Sequence, residues 1–196
     1  MSSVAKNFKL GVKVLKESEN PPVSWPQGTS IDRFSGTWWV AHTKSRNEKA
    51  LAQDLIAKDI CYFLPMHWRK SRRSGRVIKS FLPLFSSYLF FCGDERQRLE
   101  LLRTNRVAGL IEVKDQKKLL DELQKIEQAI RTGLVISPHK YIRQGQLCRV
   151  LTGPLAGMEG VVLKGQTVTR LVLQVDMLGQ AASVEIDRDI IEVVEE

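Results

Sequence analysis

Near its C-terminus the chain reads Gly153-Pro154-Leu155-Ala156-Gly157-Met158-Glu159-Gly160. A helix cannot run through this stretch, because each interior Gly or Pro costs it about 1 to 3 kcal/mol. Glycine takes positive φ without steric penalty, so the chain can reverse tightly here and re-enter a small sheet. The runs at 146–151, 160–163 and 170–176 that flank the glycines are apolar and β-prone. Gly165 and Gly179 would interrupt any helical alternative, so an all-β unit is expected from residue 141 onward.

The net charge of +8 is unevenly spread. Residues 37–91 carry ten basic and three acidic side chains, whereas residues 141–196 carry five and eight. The positive field therefore belongs to the first half, and clustered Lys and Arg favour phosphate backbones. The acidic C-terminal unit suits a basic protein partner instead. No apolar run approaches the roughly 20 residues needed to span a bilayer, and the first ten residues lack the apolar core of a secretory leader. Cys61, Cys92 and Cys148 are odd in number and far apart in sequence, which argues against a disulfide framework and against paired-cysteine zinc binding. A cytoplasmic protein is expected.

Residues 1–36, with Pro21, Pro22 and Pro26, are expected to form a disordered extension. Trp38-Trp39-Val40-Ala41-His42-Thr43 reads as a strand. Ser45 and Glu48 have capping-box spacing, and Ala50, Leu51, Leu55 and Ile56 predict a helix to about Lys58. A short strand at 61–66 leads into Trp68-Arg69-Lys70-Ser71-Arg72-Arg73-Ser74-Gly75-Arg76-Val77-Ile78-Lys79, a basic hairpin turning at Ser74-Gly75. Further elements are expected as a strand at 84–91, a helix at 95–103 and a strand at 110–113. A second helix carries Leu119, Leu120, Leu123, Ile126 and Ile130 on one face. The order β-α-β-β-α-β-α fits a split-βαβ sheet with helices on one face. The domains are therefore 37–131 and 141–196, joined by a linker at 132–140. The fold class is α+β.

Four pieces together resemble the NusG family of transcription elongation and antitermination factors. They are the first strand with Lys44, Pro83-Leu84-Phe85-Ser86-Ser87-Tyr88-Leu89-Phe90, Thr104-Asn105-Arg106-Val107-Ala108-Gly109, and the Gly-Pro-x-x-Gly-x-x-Gly motif. The resemblance runs from about Thr37 to the C-terminus, and its basic hairpin is similar to the specialised RfaH-like paralogues. It implies an NGN domain followed by a small SH3-like KOW barrel, and a non-enzymatic factor without cofactor or metal. The NGN domain would bind the β′ clamp helices of RNA polymerase and reach across the DNA cleft toward the β gate loop, to suppress pausing and termination. The KOW barrel would recruit Rho or a small-subunit ribosomal protein. The alternative is a ribosomal or general RNA-binding KOW protein.

Carried over residue by residue, His42, Tyr88 and Phe90 would line the apolar patch that receives polymerase. Lys44 and Arg106 would lie near the non-template DNA strand. Independently of the resemblance, the acid-free charge run of Arg69, Lys70, Arg72, Arg73 and Arg76 on the hairpin would contact nucleic acid, and Trp68 at its base could stack a base, although packing on the sheet is the expected role. Leu155 and Met158 would protrude from the barrel motif to dock its partner. Leu82 stands where RfaH-like proteins carry an acidic residue tying the two domains together, so that tie is not expected. His42, His67 and His139 are scattered without a nucleophile or a metal-ligand spacing. A monomer that touches no membrane is expected.

Overall fold

The computed structural model describes residues 20–73, 76–141, 145–164 and 168–194. The first half is built on a five-stranded antiparallel sheet. Its strands are β1 (Ser24–Trp25), β2 (Thr37–Thr43), β3 (Cys61–Phe63), β6 (Tyr88–Gly93) and β7 (Val107–Glu112), in the order β1-β3-β6-β2-β7. A separate ribbon pairs β4 (Met66–Arg73) with β5 (Arg76–Pro83). Because β6 lies between β2 and β3, helix α1 (Glu48–Ala57) completes a split β-α-β unit.

Alternation along β2 and β6 sends side chains to opposite faces. Ala41, Leu89 and Phe91 pack with Leu51, Ala52 and Leu55 of α1 and with Leu101 of α2 (Glu95–Arg103). Val40, Phe90 and Cys92 pack on the other side with Leu119, Leu123 and Ile126 of α3 (Gln116–Arg131). Helices therefore cover both faces rather than the expected one. The sequence motif is amphipathic for α1 and α3 alike, and nothing in that pattern assigns a face.

Local chemistry explains the ends of the helices. Asp94 and Gln97 close a reciprocal capping box at the start of α2. Helix α1 begins at Asn47 without a side-chain cap, not at Ser45. It ends in a left-handed Asp59, with the Ile60 N–H bonded to the Leu55 carbonyl and the Asp59 N–H to that of Ile56. Gln116 at the start of α3 holds both backbone groups of Trp38, accepting from its N–H at 2.8 Å and donating to its carbonyl at 3.0 Å.

Two segments depart from expectation. Residues 20–36 are structured against the body, while 1–19 lie outside the described residues. Leu64 donates to the Val23 carbonyl, the Tyr62 hydroxyl donates to the Pro22 carbonyl, and Ile31 is fully buried. The buried Glu127 carboxylate of α3 accepts from the Ile31 N–H and the Ser30 hydroxyl, which satisfies a charge that would otherwise be costly. The stretch at 132–140, expected as a linker, contributes strand β8 (Ile136–Lys140) to the C-terminal sheet.

That sheet has the order β13-β9-β10-β11-β12-β8 and is antiparallel throughout. The remaining strands are β9 (Gln146–Val150), β10 (Glu159–Lys164), β11 (Thr169–Val175), β12 (Gln180–Ile186) and β13 (Ile191–Val193). One face gathers Cys148, Val162, Leu171, Leu173, Ala182 and Val184. Gly160 lies so close to β11 that an added Cβ would fall 2.8 Å from the Val172 carbonyl oxygen. Helix α3 packs beside β11, so the two halves share one buried apolar cluster. No helix among the described residues is long and apolar enough to cross a membrane.

Candidate functional site

Four of the expected site residues meet at one corner of the first sheet. His42 and Tyr88 are cross-strand partners on β2 and β6, with ring centroids 5.3 Å apart. His42 is exposed and Tyr88 is half-buried. Two residues beyond His42, the Lys44 N–H donates to the Arg106 carbonyl at 2.8 Å. The Lys44 ammonium donates to the Asn105 side chain at 2.7 Å. The Arg106 guanidinium pairs with Asp54 and also donates to Asn47 at 3.3 Å. The two cations are thus anchored at the same end of the sheet as the aromatic pair, but the Arg106 guanidinium is held on the α1 side, whereas His42 and Tyr88 share the face that α3 covers.

Phe90, expected in the same patch, is 0% exposed. It sits between Phe63 and Phe85, with centroids 6.5 and 6.2 Å away. The reason is the second covered face: Phe90 lies on the side of β6 that joins the apolar cluster containing α3, Phe63 and Phe85. Phe90 supports the corner from below and offers no surface of its own. A wide uncovered aromatic face is absent from the described residues.

The residues that shape the corner were not legible. Glu48 was read as one half of a capping box. Instead its nearly buried carboxylate accepts from the Ser87 N–H at 2.7 Å, and Ser87 is held in the left-handed region at φ 67°. This turn ends the apolar run at 84–87 and lets β6 begin at Tyr88. Asp54, Asn47 and Asn105, which fix the two cations, carry no pattern that would mark them in a sequence.

The ribbon is present as β4 and β5, with Arg73 opposite Arg76. Its Ser74-Gly75 turn, and the side chains of Arg73 and Arg76, lie outside the described residues. Arg69, Lys70 and Arg72 are exposed. Trp68, expected to pack on the sheet, is instead 47% exposed and tilted against Phe81, with ring centroids 4.8 Å apart. Burial holds His67 at the ribbon base below the usual imidazole range, so it adds no charge near neutral pH.

Leu155 and Met158 do not protrude from the C-terminal sheet; they are 2% and 5% exposed. Gly153 and Gly157 take φ of 86° and 82°, and Gly157 donates back to the Val150 carbonyl at 2.7 Å. The loop therefore folds inward, with both apolar side chains beneath it. Its Pro154 carbonyl accepts from Gln128 of α3.

The two halves are also joined by polar contacts. Lys118 of α3 pairs with Asp176 at 2.5 Å, and the Asp176 N–H donates to the Glu122 carboxylate at 3.3 Å. Burial, with the Asp176 carboxylate close by, pushes Glu122 up to about 7. Leu82 pairs with His67 across the ribbon and, being apolar, supplies no ion pair to this junction.

Cys61 and Cys92 stand opposite one another across β3 and β6, although they are distant in sequence. Both are free. Burial raises both thiols, Cys92 to about 12, so neither carries a reactive thiolate near neutral pH. Among the described residues no cluster of His, Cys, Asp and Glu side chains converges to hold a metal.

Residues 36–129 match the family model described as "Transcription termination factor nusG". The match spans β2 to β7 and most of α3, and it contains the whole corner and the ribbon. No curated protein matches the chain. Solved structures also align with it, two of which are described below. One is described as "Domain interaction in Thermotoga maritima NusG", at 15% identity over 81% of this chain and 97% of that one, with a TM-score of 0.48. The other is "Crystal Structure of MjSpt4:Spt5 complex conformation B", at 14% identity over the same shares, with a TM-score of 0.26.

Proposed function

We propose that this chain is a NusG-type transcription elongation and antitermination factor, a binding protein of the cytoplasm rather than an enzyme. The single observation that carries this reading is the family match over residues 36–129. The exposed His42 and the half-buried Tyr88 supply the apolar contact for the β′ clamp helices of RNA polymerase. Phe90 stiffens the sheet beneath them. Lys44 and Arg106 face the non-template DNA strand. Their anchoring by Asn105 and Asp54 supports this role, because a cation already held in place loses little conformational freedom when it binds.

A factor of this kind acts by population shift: it binds the closed clamp better than the open one and so depletes the paused state. The C-terminal sheet then serves as the KOW unit that recruits Rho or a ribosomal protein. Because Leu155 and Met158 are buried, that contact uses other residues. Specialisation of the RfaH-like kind would restrict the factor to particular operons.

The test is retention of the purified monomer on polymerase core, followed by readthrough on a pausing template. Tyr88→Ala should weaken retention about tenfold, the scale of one buried aromatic anchor at an interface, while leaving the protein folded. No retention of the unaltered protein, or equal retention of the variant, would overturn the reading.

A further inference from the structure

The ribbon sorts its side chains by face. Trp68 lies opposite Phe81, Lys70 opposite Lys79 and Arg72 opposite Val77, and alternation puts all six on one side. Arg69, Ser71, Ile78 and Ser80 occupy the other. On the first side Phe81 is partly buried against the core beneath α1, and its carbonyl accepts from the Lys49 ammonium. The ring on which Trp68 leans is therefore fixed to the body of the protein. The indole itself is about half open, an unusual state for the largest apolar side chain when nothing else covers it.

Beyond Trp68 the same side continues with Lys70, Lys79 and Arg72, all exposed. None of the three forms an ion pair among the described residues, in contrast to Arg98, Arg103, Arg106 and Lys118 on the body. No carboxylate side chain occurs anywhere between residues 61 and 93 to neutralise them. Successive residues on one side of a strand repeat at about 7 Å, so the cations form a regular row leading away from the indole.

We infer that this side of the ribbon binds single-stranded RNA, with a base stacked on Trp68 and the adjoining phosphates on Lys70, Lys79 and Arg72. Stacking on a side chain requires an unpaired base, which disfavours a duplex. The row of unpaired cations requires a polyanion, which disfavours an apolar segment. An acidic peptide would satisfy the cations and leave the indole without a flat partner. RNA is assigned over DNA because a transcribing polymerase releases its transcript unpaired, while the displaced DNA strand is already met by Lys44 and Arg106. That choice of strand rests on the proposed transcription role; the stacking chemistry does not.

The experiment uses the full chain without polymerase, titrated against a fluorescently labelled single-stranded RNA of about 12 nucleotides. DNA of the same sequence, an RNA duplex and polyglutamate are run in parallel. Single-stranded RNA should bind more tightly than the duplex and polyglutamate and quench tryptophan fluorescence. Trp68→Ala should weaken it about tenfold, with Trp68→Phe retaining most of the affinity. Lys70→Ala combined with Lys79→Ala should lower the slope of log affinity against log salt by about 1.4. These two lysines are exposed, so the double variant tests the surface even if Trp68→Ala unfolds the ribbon.

Tight binding of the single-stranded DNA with no binding of the RNA would overturn the strand assignment. A duplex bound as tightly as the single strand, or no effect of Trp68→Ala in a folded protein, would overturn the stacking site. Polyglutamate binding with the same dependence on Trp68 would reassign the surface to a protein partner. Polymerase is absent from every arm, so failure here leaves the His42–Tyr88 reading standing, and failure of polymerase retention leaves this result intact.

Discussion

The corner and the ribbon both present cations, but they hold them differently. At the corner, Lys44 and Arg106 are tethered by Asn105, Asp54 and Asn47, and the sheet beneath is fully packed. On the ribbon, Lys70, Lys79 and Arg72 reach into solvent with no carboxylate nearby. A tethered cation suits a contact of fixed geometry, where position matters more than field strength. An untethered row suits a flexible polyanion, whose shape adapts to it. Under the proposed roles, the contrast would let one small domain address a rigid machine and a mobile strand.

The strongest way to break the contrast is to remove the packing under the corner. Phe90→Ala should cost about 3 to 5 kcal/mol in chemical denaturation, because a fully buried aromatic is lost from a two-sided core. A loss below 1 kcal/mol would mean that the corner does not depend on that core.

Next comes the junction between the halves. The Glu122 carboxyl, at about 7 in the folded protein, would sit near 4.3 when unfolded. The folded state therefore binds the extra proton between those values, and stability declines as pH rises through that window. The decline should be on the order of 1 kcal/mol between pH ~5 and pH ~8, seen as a lower urea midpoint, and Glu122→Gln should flatten it. Asp176, held low mainly by Lys118, acts with the opposite sign at more acidic pH and does not cancel the effect.

Arg106→Ala is a smaller perturbation. Its partly exposed pair with Asp54 should be worth about 0.5 to 1 kcal/mol, and the effect should shrink in high salt. Smallest of all, Lys79→Ala should change stability by less than about 0.5 kcal/mol. If Lys79→Ala destabilised the fold as much as Arg106→Ala, the ribbon cations would be structural and the contrast would fail.

What could be read beforehand follows from how local each signal is. Helix α2 forms at 95–103 as expected, and its start is fixed locally by the reciprocal cap of Asp94 and Gln97. The basic ribbon was legible because its composition alone separates it from the body. The apolar run at 84–91 was misread as one strand, since its break depends on Glu48 reaching across to Ser87. Residues 20–36 looked featureless because Ile31 finds its pocket, and Ser30 its acceptor, on a helix almost a hundred residues away. The burial of Phe90, Leu155 and Met158 likewise depends on which element covers which face. The open state of Trp68 runs the other way: an indole expected to hide stays out because Phe81 already fills the space beneath it.

Helix α3 serves two neighbours at once, the first sheet and strand β11. Cutting the chain after Arg131 would therefore not liberate a tidy fragment. It would strip one flank of that helix bare, and a naked greasy flank in water seeks any cover it can find. Activity measured on such a fragment would describe a molecule with a new sticky side, and clumping in dilute buffer would be its earliest symptom.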